Sequence, residues 1–180
     1  MRRHPHYLWK DLFKNRQNRA SSVIELLKEN ALFHTLNAKE LKLLSKMVYE
    51  RVYQPDEVIF HQNERGFGMY IIAKGRVDIK TEGHEEAIQV TCLGAGSFFG
   101  ELSLIEPDNI RSATARARER TILIGFFKPD LMGILERQPA IGVKILFQLA
   151  AILGQRLMST TERISQLSQG KTEELIDEAV

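Results

Sequence analysis

The apolar residues change rhythm twice. Before Tyr49 and after Lys128 they recur every three or four positions. Between those points they alternate over short runs, at 51–53, 58–61, 69–73, 77–80, 87–92, 113–117 and 121–126. Alternation sends successive side chains to opposite faces, so each run reads as a strand. Turn formers separate the runs: Pro55-Asp56, Gly66 and Gly68, Gly75, Gly83, Gly94 and Gly96, and Pro107-Asp108-Asn109. Short strands at regular spacing with no helices between them argue against a doubly wound βαβ sheet. The expected fold is α+β, an antiparallel, jelly-roll-like β-roll flanked by N-terminal helices and one long C-terminal helix.

The helical segments carry their own signals. Over 21–30, Ser22 can cap a helix whose Val23, Leu26 and Leu27 share a face. Asn37 followed three residues later by Glu40 is a capping-box pattern, opening a helix that buries Leu41, Leu44 and Met47. Lys128-Pro129 starts another, with Leu131, Ile134 and Leu135 on its inner side. Pro139 opens a pattern that runs to about Gln169. Leu146, Leu153, Thr160 and Leu167 are spaced by seven, as are Ala150, Leu157 and Ile164. They predict a heptad seam interrupted by the polar Thr160. A helix of roughly 28 residues is about 42 Å long at 1.5 Å per residue, which outreaches a small domain. Its first half is expected on the roll. Its second half leaves an apolar stripe that a second subunit would cover, predicting a homodimer.

Three units follow: a basic N-terminal arm over 1–20, the roll with its flanking helices over 21–138, and the long helix with a short tail over 139–180. The arm carries six basic side chains against the single acid Asp11, interleaved with Tyr7, Leu8, Trp9, Leu12 and Phe13. A solvated arm packing its aromatics on the domain, a partner-docking or membrane-surface segment, and a nucleic-acid contact all remain open for it. For the whole chain the net charge is only +2, with no strong pull toward nucleic acid or membrane. The single Cys92 excludes an internal disulfide framework and fits a reducing compartment. No run of 18 uninterrupted apolar residues marks a transmembrane helix, and no apolar core follows the basic N-terminus as in a signal peptide. A cytoplasmic protein is expected.

The chemistry gathers in Phe99-Gly100-Glu101-Leu102-Ser103-Leu104, with Arg111-Ser112-Ala113-Thr114 starting ten residues after the glutamate. A carboxylate accepts hydrogen bonds from sugar hydroxyls, and a guanidinium forks onto a phosphate. Gly100 lets the backbone turn tightly and approach a ligand. The residues after it would begin a short helix whose free N–H groups face an anion. Leu102, Leu104 and Ala113 would line the apolar parts. A small ligand carrying a ribose and a phosphate satisfies both charged groups at once, as a cyclic nucleotide does. The plain alternative is an ion pair between Glu101 and Arg111 beside a hairpin.

This string resembles the phosphate-binding cassette of the cyclic nucleotide-binding domain family, the β-roll modules of bacterial catabolite activators and protein kinase A regulatory subunits. The resemblance covers about residues 24 to 168. It implies that Glu101 holds the ribose 2′-hydroxyl, that Arg111 holds the cyclic phosphate, and that Ser112 adds a phosphate contact. Phe99, Gly100, Leu102, Ser103 and Ala113 would complete the cassette. Thr160 and Thr161 match the hydroxyl pair that contacts adenine in bacterial activators, one of them from the partner subunit; alternatively, Thr160 only sets a dimer register. Thr91 and Ile79 fall where relatives line the pocket, and Arg156, one turn before Thr160, is placed to approach Glu101. The hydroxyl pair favours cAMP over cGMP, though Ser112 alone would permit either. Departures from the family pattern are Ser97 where an aspartate is common, and Asp56 and Glu64 where glycines are common.

Rival motifs fail. Residues 94–100 hold one residue too many for the dinucleotide fingerprint, and Gly170-Lys171-Thr172 has Ser165 where a P-loop needs glycine. The histidines show no metal-ligand spacing with Cys92; His4-Pro5-His6 could chelate only weakly, and no nucleophile–base pair stands out. The reading is therefore a binding module, neither an enzyme nor a metalloprotein, needing no cofactor beyond its ligand. Only about a dozen residues follow the long helix, too few for a helix-turn-helix DNA-binding domain. The expected function is a cAMP-preferring sensor that changes conformation to signal to an unidentified protein partner. The alternative is a ligand-free scaffold of the same fold.

Overall fold

The structure, a computed structural model, describes residues 21–82, 87–108 and 110–177. The N-terminal arm over 1–20 lies outside them. A helix occupies 21–29 (α1), and α2 spans Ala38–Leu44. Eight strands follow: β1 Tyr49–Tyr53, β2 Val58–Phe60, β3 Gly68–Lys74, β4 Val77–Glu82, β5 Ala87–Leu93, β6 Phe98–Phe99, β7 Thr114–Ala117 and β8 Thr121–Phe127. A 3-10 turn at Glu101–Leu104 links β6 to β7. Then come α3, Lys128–Arg137, and α4, Pro139–Asp177.

All seven predicted strands are present. The one missed, β6, is two residues long, too short to show any period. The strands form two antiparallel four-stranded sheets, ordered β1-β8-β3-β6 and β2-β7-β4-β5. This is the expected α+β roll with flanking helices. The central strands β8 and β3 of the first sheet are covered on both faces, so apolar residues fill both sides of their alternation. Met69, Ile71, Phe98, Ile124 and Phe126 point to the helices, while Ile72, Phe99 and Leu123 point to the second sheet. Phe33, from the α1–α2 connection, meets Phe126 edge to face at 5.6 Å.

The capping box forms as the sequence predicts. Asn37 accepts from the backbone N–H of Lys39 and Glu40, and the Glu40 carboxylate accepts from the Asn37 N–H at 2.7 Å. The helix ends at Leu44, so Met47 packs on the core from just beyond it. Glu40 also accepts from Lys144 of α4 at 2.8 and 3.0 Å, tying the two helices.

Helix α4 is longer than expected, 39 residues to Asp177, so the short tail past Gln169 is largely helical. Gly170 does not stop it; a glycine inside a helix costs only about 1 kcal/mol. Ile141, Ile145 and Leu149 bury against the core, with Ile152 continuing the stripe. The predicted seam divides. Leu146 and Leu153 are partly buried on the molecule's own core. Val143 (60 % exposed), Phe147 (72 %), Leu157 (68 %) and Ile164 (60 %) form an outward stripe, the last two lying beyond the end of the packed segment. Within Pro139–Gln166 an 18-residue window reaches a mean hydropathy of 1.4, so by length and composition alone this helix is long and apolar enough to cross a membrane, although charged residues interrupt it. The sequence expectation of no such span rests on uninterrupted apolar runs, which Lys144, Gln148, Gln155 and Arg156 break, and the inner face of the helix is packed on the core.

Candidate functional site

The turn between β6 and β7 places the charged pair. Gly100 adopts the left-handed conformation, φ 76°, and the chain then coils into the Glu101–Leu104 turn. A Cβ on Gly100 would stand 2.5 Å from the Arg111 Nη1, so both the conformation and the close approach require glycine. Glu101 (5 % exposed), Ser103 (2 %) and Arg111 (5 %) are buried together beside it. Arg111 Nη1 donates to the Gly100 carbonyl at 3.1 Å and to Ser103 Oγ at 2.9 Å. Its Nε is buried without a hydrogen-bond partner. Burial lowers the Arg111 pKa from its ordinary value, partly offset by Tyr70, Glu101 and Glu64. A buried guanidinium with an orphaned N–H fits an anion, which would satisfy the donor and restore the charge balance.

The simple Glu101–Arg111 ion pair does not form. The Glu101 carboxylate is instead paired with Arg156 Nη1, from α4. The Arg156 guanidinium also lies 5.1 Å from the centroid of the Phe98 ring. The approach of Arg156 to Glu101 expected from sequence is thus present, and it spans the cavity from turn to helix.

That cavity, about 710 Å³, contains eleven of the twelve predicted site residues. Phe99, Gly100, Glu101, Leu102, Ser103, Arg111, Ser112 and Ala113 form one wall; Ile79 and Thr91 come from β4 and β5, and Thr160 from α4. Thr161 is absent from the lining. It sits beside Leu157, Met158, Glu162 and Ser165 around a separate depression on α4. Adjacent helical residues are about 100° apart, so only one of the two threonines faces this cavity. The Thr160 hydroxyl donates to the Arg156 carbonyl at 2.8 Å, and that of Thr161 to the Leu157 carbonyl at 2.9 Å. Leu104, expected to line the pocket, is instead buried in the helix-side core.

Sequence reasoning missed several lining residues. Phe60 and Phe98 come from β2 and β6, Ala31 from the α1–α2 connection, and Ile152, Gln155 and Ser159 from α4. The last three were detectable: with Arg156 and Thr160 they recur at i, i+3, i+4, i+7 and i+8 on one helix face. Of the family departures, Asp56 keeps a left-handed φ of 64°; in the next loop Asn63 (φ 67°), not Glu64, takes that conformation. Among the described residues there is no group of three or more His, Cys, Asp or Glu side chains that could hold a metal ion.

Comparison with known proteins agrees with this geometry. A family model of the cyclic nucleotide-binding domain matches residues 50–138. The cyclic AMP receptor protein of Thermus thermophilus is 32% identical over 143 residues, 79% of this chain and 64% of that protein. A regulatory subunit of cAMP-dependent protein kinase from Schizosaccharomyces pombe is 27% identical over 69% of this chain and 29% of its own length. The crystal structure of Thermus thermophilus catabolite activator protein superposes with a TM-score of 0.69 at 31% identity, covering 77% of this chain and 63% of that one. The chain thus spans less than two thirds of these relatives. The left-handed Gly100, the buried Glu101 and the seated Arg111 all fall inside the matched segment, and the chain belongs to the cyclic nucleotide-binding domain family.

Proposed function

We propose that this chain is a cAMP-preferring sensor. The observation that carries the reading is Arg111, buried beside Glu101 with its Nε unsatisfied at the wall of a large cavity. In this reading the guanidinium and Ser112 take the cyclic phosphate, Glu101 takes the ribose 2′-hydroxyl, and Thr160 reads the base. The module acts by binding and not by catalysis, in the cytoplasm.

The signal passes through α4. Arg156 joins that helix to Glu101, the same carboxylate the ribose would use, so ligand occupancy and helix position draw on one group. The outward stripe of Val143, Phe147, Leu157 and Ile164 supports dimerisation through α4, which would bring a second Thr161 towards each cavity. A protein partner then reads the two helix positions. Calorimetric titration of nucleotide-stripped protein with cAMP, then cGMP, tests the proposal. Saturable binding at micromolar or tighter, with cAMP ahead, is expected. Tighter cGMP binding overturns the threonine roles, and no heat with either leaves a ligand-free scaffold.

A further inference from the structure

Arg111 is held in place by more than the cassette. Its guanidinium carbon stands 4.0 Å from the centroid of the Phe60 ring and 6.0 Å from that of Tyr70. Phe60, Tyr70 and Phe99 form a closed triangle of rings, with centroids 5.6 to 6.2 Å apart. The triangle draws one ring each from β2, β3 and β6, so the surface under the cation is fixed by both sheets.

Gly66 lies against the same guanidinium. A Cβ there would come 2.1 Å from Nε, 2.3 Å from Cζ and 2.7 Å from Nη2. Positive φ in this part of the chain belongs to Asn63 and not to Gly66, so space, not backbone conformation, is what asks for glycine. Arg111 has little freedom to retreat, because Nη1 is already bound to Gly100 and Ser103.

We infer that Phe60 and Gly66 are positioning residues for the ligand phosphate: the Phe60 ring face and the bare Cα of Gly66 form a seat that orients the Arg111 guanidinium before the ligand arrives. The inference rests on the proposed reading of the cavity. A desolvated cation over an aromatic face is stabilised without a carboxylate partner. The guanidinium therefore keeps its charge for an incoming anion and needs little reorganisation to bind it.

The test uses the full chain with Phe60→Tyr, Phe60→Leu and Gly66→Ala. Two quantities are read: the proton shift of the Arg111 Nε–H in the free protein by NMR, and cAMP affinity by calorimetry. A seated guanidinium shows a ring-current-shifted Nε–H in wild type and Phe60→Tyr. Phe60→Leu, which keeps bulk but removes the π face, loses the shift and weakens cAMP by about tenfold. Gly66→Ala does the same while its melting temperature holds. Equal affinity in Phe60→Leu and Phe60→Tyr, or lost affinity with an unmoved Nε–H, overturns the inference while wild-type binding preserves the reading of the site. Wild type that binds neither cAMP nor cGMP overturns the reading, and the inference with it.

Discussion

On one side of the cavity Glu101, Ser103 and Arg111 are each at most 5 % exposed, and a single stretch, 99–113, supplies that wall. On the other side Gln155, Arg156, Ser159 and Thr160 are all exposed, on a helix whose packing against the roll runs out at Ile152 and Leu153. The first wall is finished within this chain, with its donors already bonded or aimed. The second is a helix face with little behind it. A binding site assembled this way has a fixed half for the part of the ligand that carries charge, and an adjustable half that can report what the first has captured.

The largest effect should come from the finished wall. Arg111→Ala removes charge-assisted hydrogen bonds worth about 1.5–3 kcal/mol each, so losing two weakens cAMP binding on the order of a hundredfold or more by calorimetry. A smaller loss would mean that the two walls share the phosphate. Leu157→Glu probes the open side. Burying a carboxylate in an apolar seam should weaken self-association by about tenfold or more in sedimentation equilibrium, with the monomer's circular dichroism unchanged. If association persists, the outward stripe of α4 is not the interface.

Thr160→Ala sharpens the contrast between walls. One neutral hydroxyl is worth about 0.5–1.5 kcal/mol, so cAMP affinity should fall only about two- to tenfold, with cGMP less affected. The smallest effect concerns the anchor of the second wall. Lys144 holds the Glu40 carboxyl below its ordinary value of 4.5. A depressed folded pKa contributes stability that is present above 4.5 and lost as pH falls through the folded value. Wild type and Glu40→Gln should therefore differ by less than about 1 kcal/mol at neutral pH and converge in thermal melts taken in acid.

The same division decides what could be read from the chain. The finished wall was legible because its residues are contiguous: Gly100, Glu101, Ser103 and Arg111 sit within twelve positions. The capping box at Asn37 and Glu40 was legible for the same reason. Phe60 was not, because only the pairing of β2 with β7 brings it under Arg111. On α4 the sequence carried the period but not where the roll ends along the rod. Leu146 and Leu157 lie within about 20° of one helix face, yet one packs on the core and the other, beyond Leu153, is exposed. The threonine pair splits, since adjacency along a helix is divergence around it: Thr160 lines this cavity and Thr161 does not. Strand β6 escaped notice because alternation needs more than Phe98 and Phe99 to show.

Helix α4 also has a mechanical aspect. It begins at Pro139, immediately after Gln138, whose φ of −142° and ψ of 64° break the path from α3. From that joint the rod runs 39 residues, about 58 Å at 1.5 Å per residue. The Arg156–Glu101 contact falls about 25 Å along it. The segment over 141–153 and the Lys144–Glu40 pair hold the base of that rod on the roll, and the part beyond Leu153 runs on for about 36 Å at 1.5 Å per residue. The helix is a lever that pivots where its packing ends, with its input at Arg156 close to that pivot, so a fluorophore pair with one member near residue 175 would register pocket events at a larger amplitude than they have in the pocket itself.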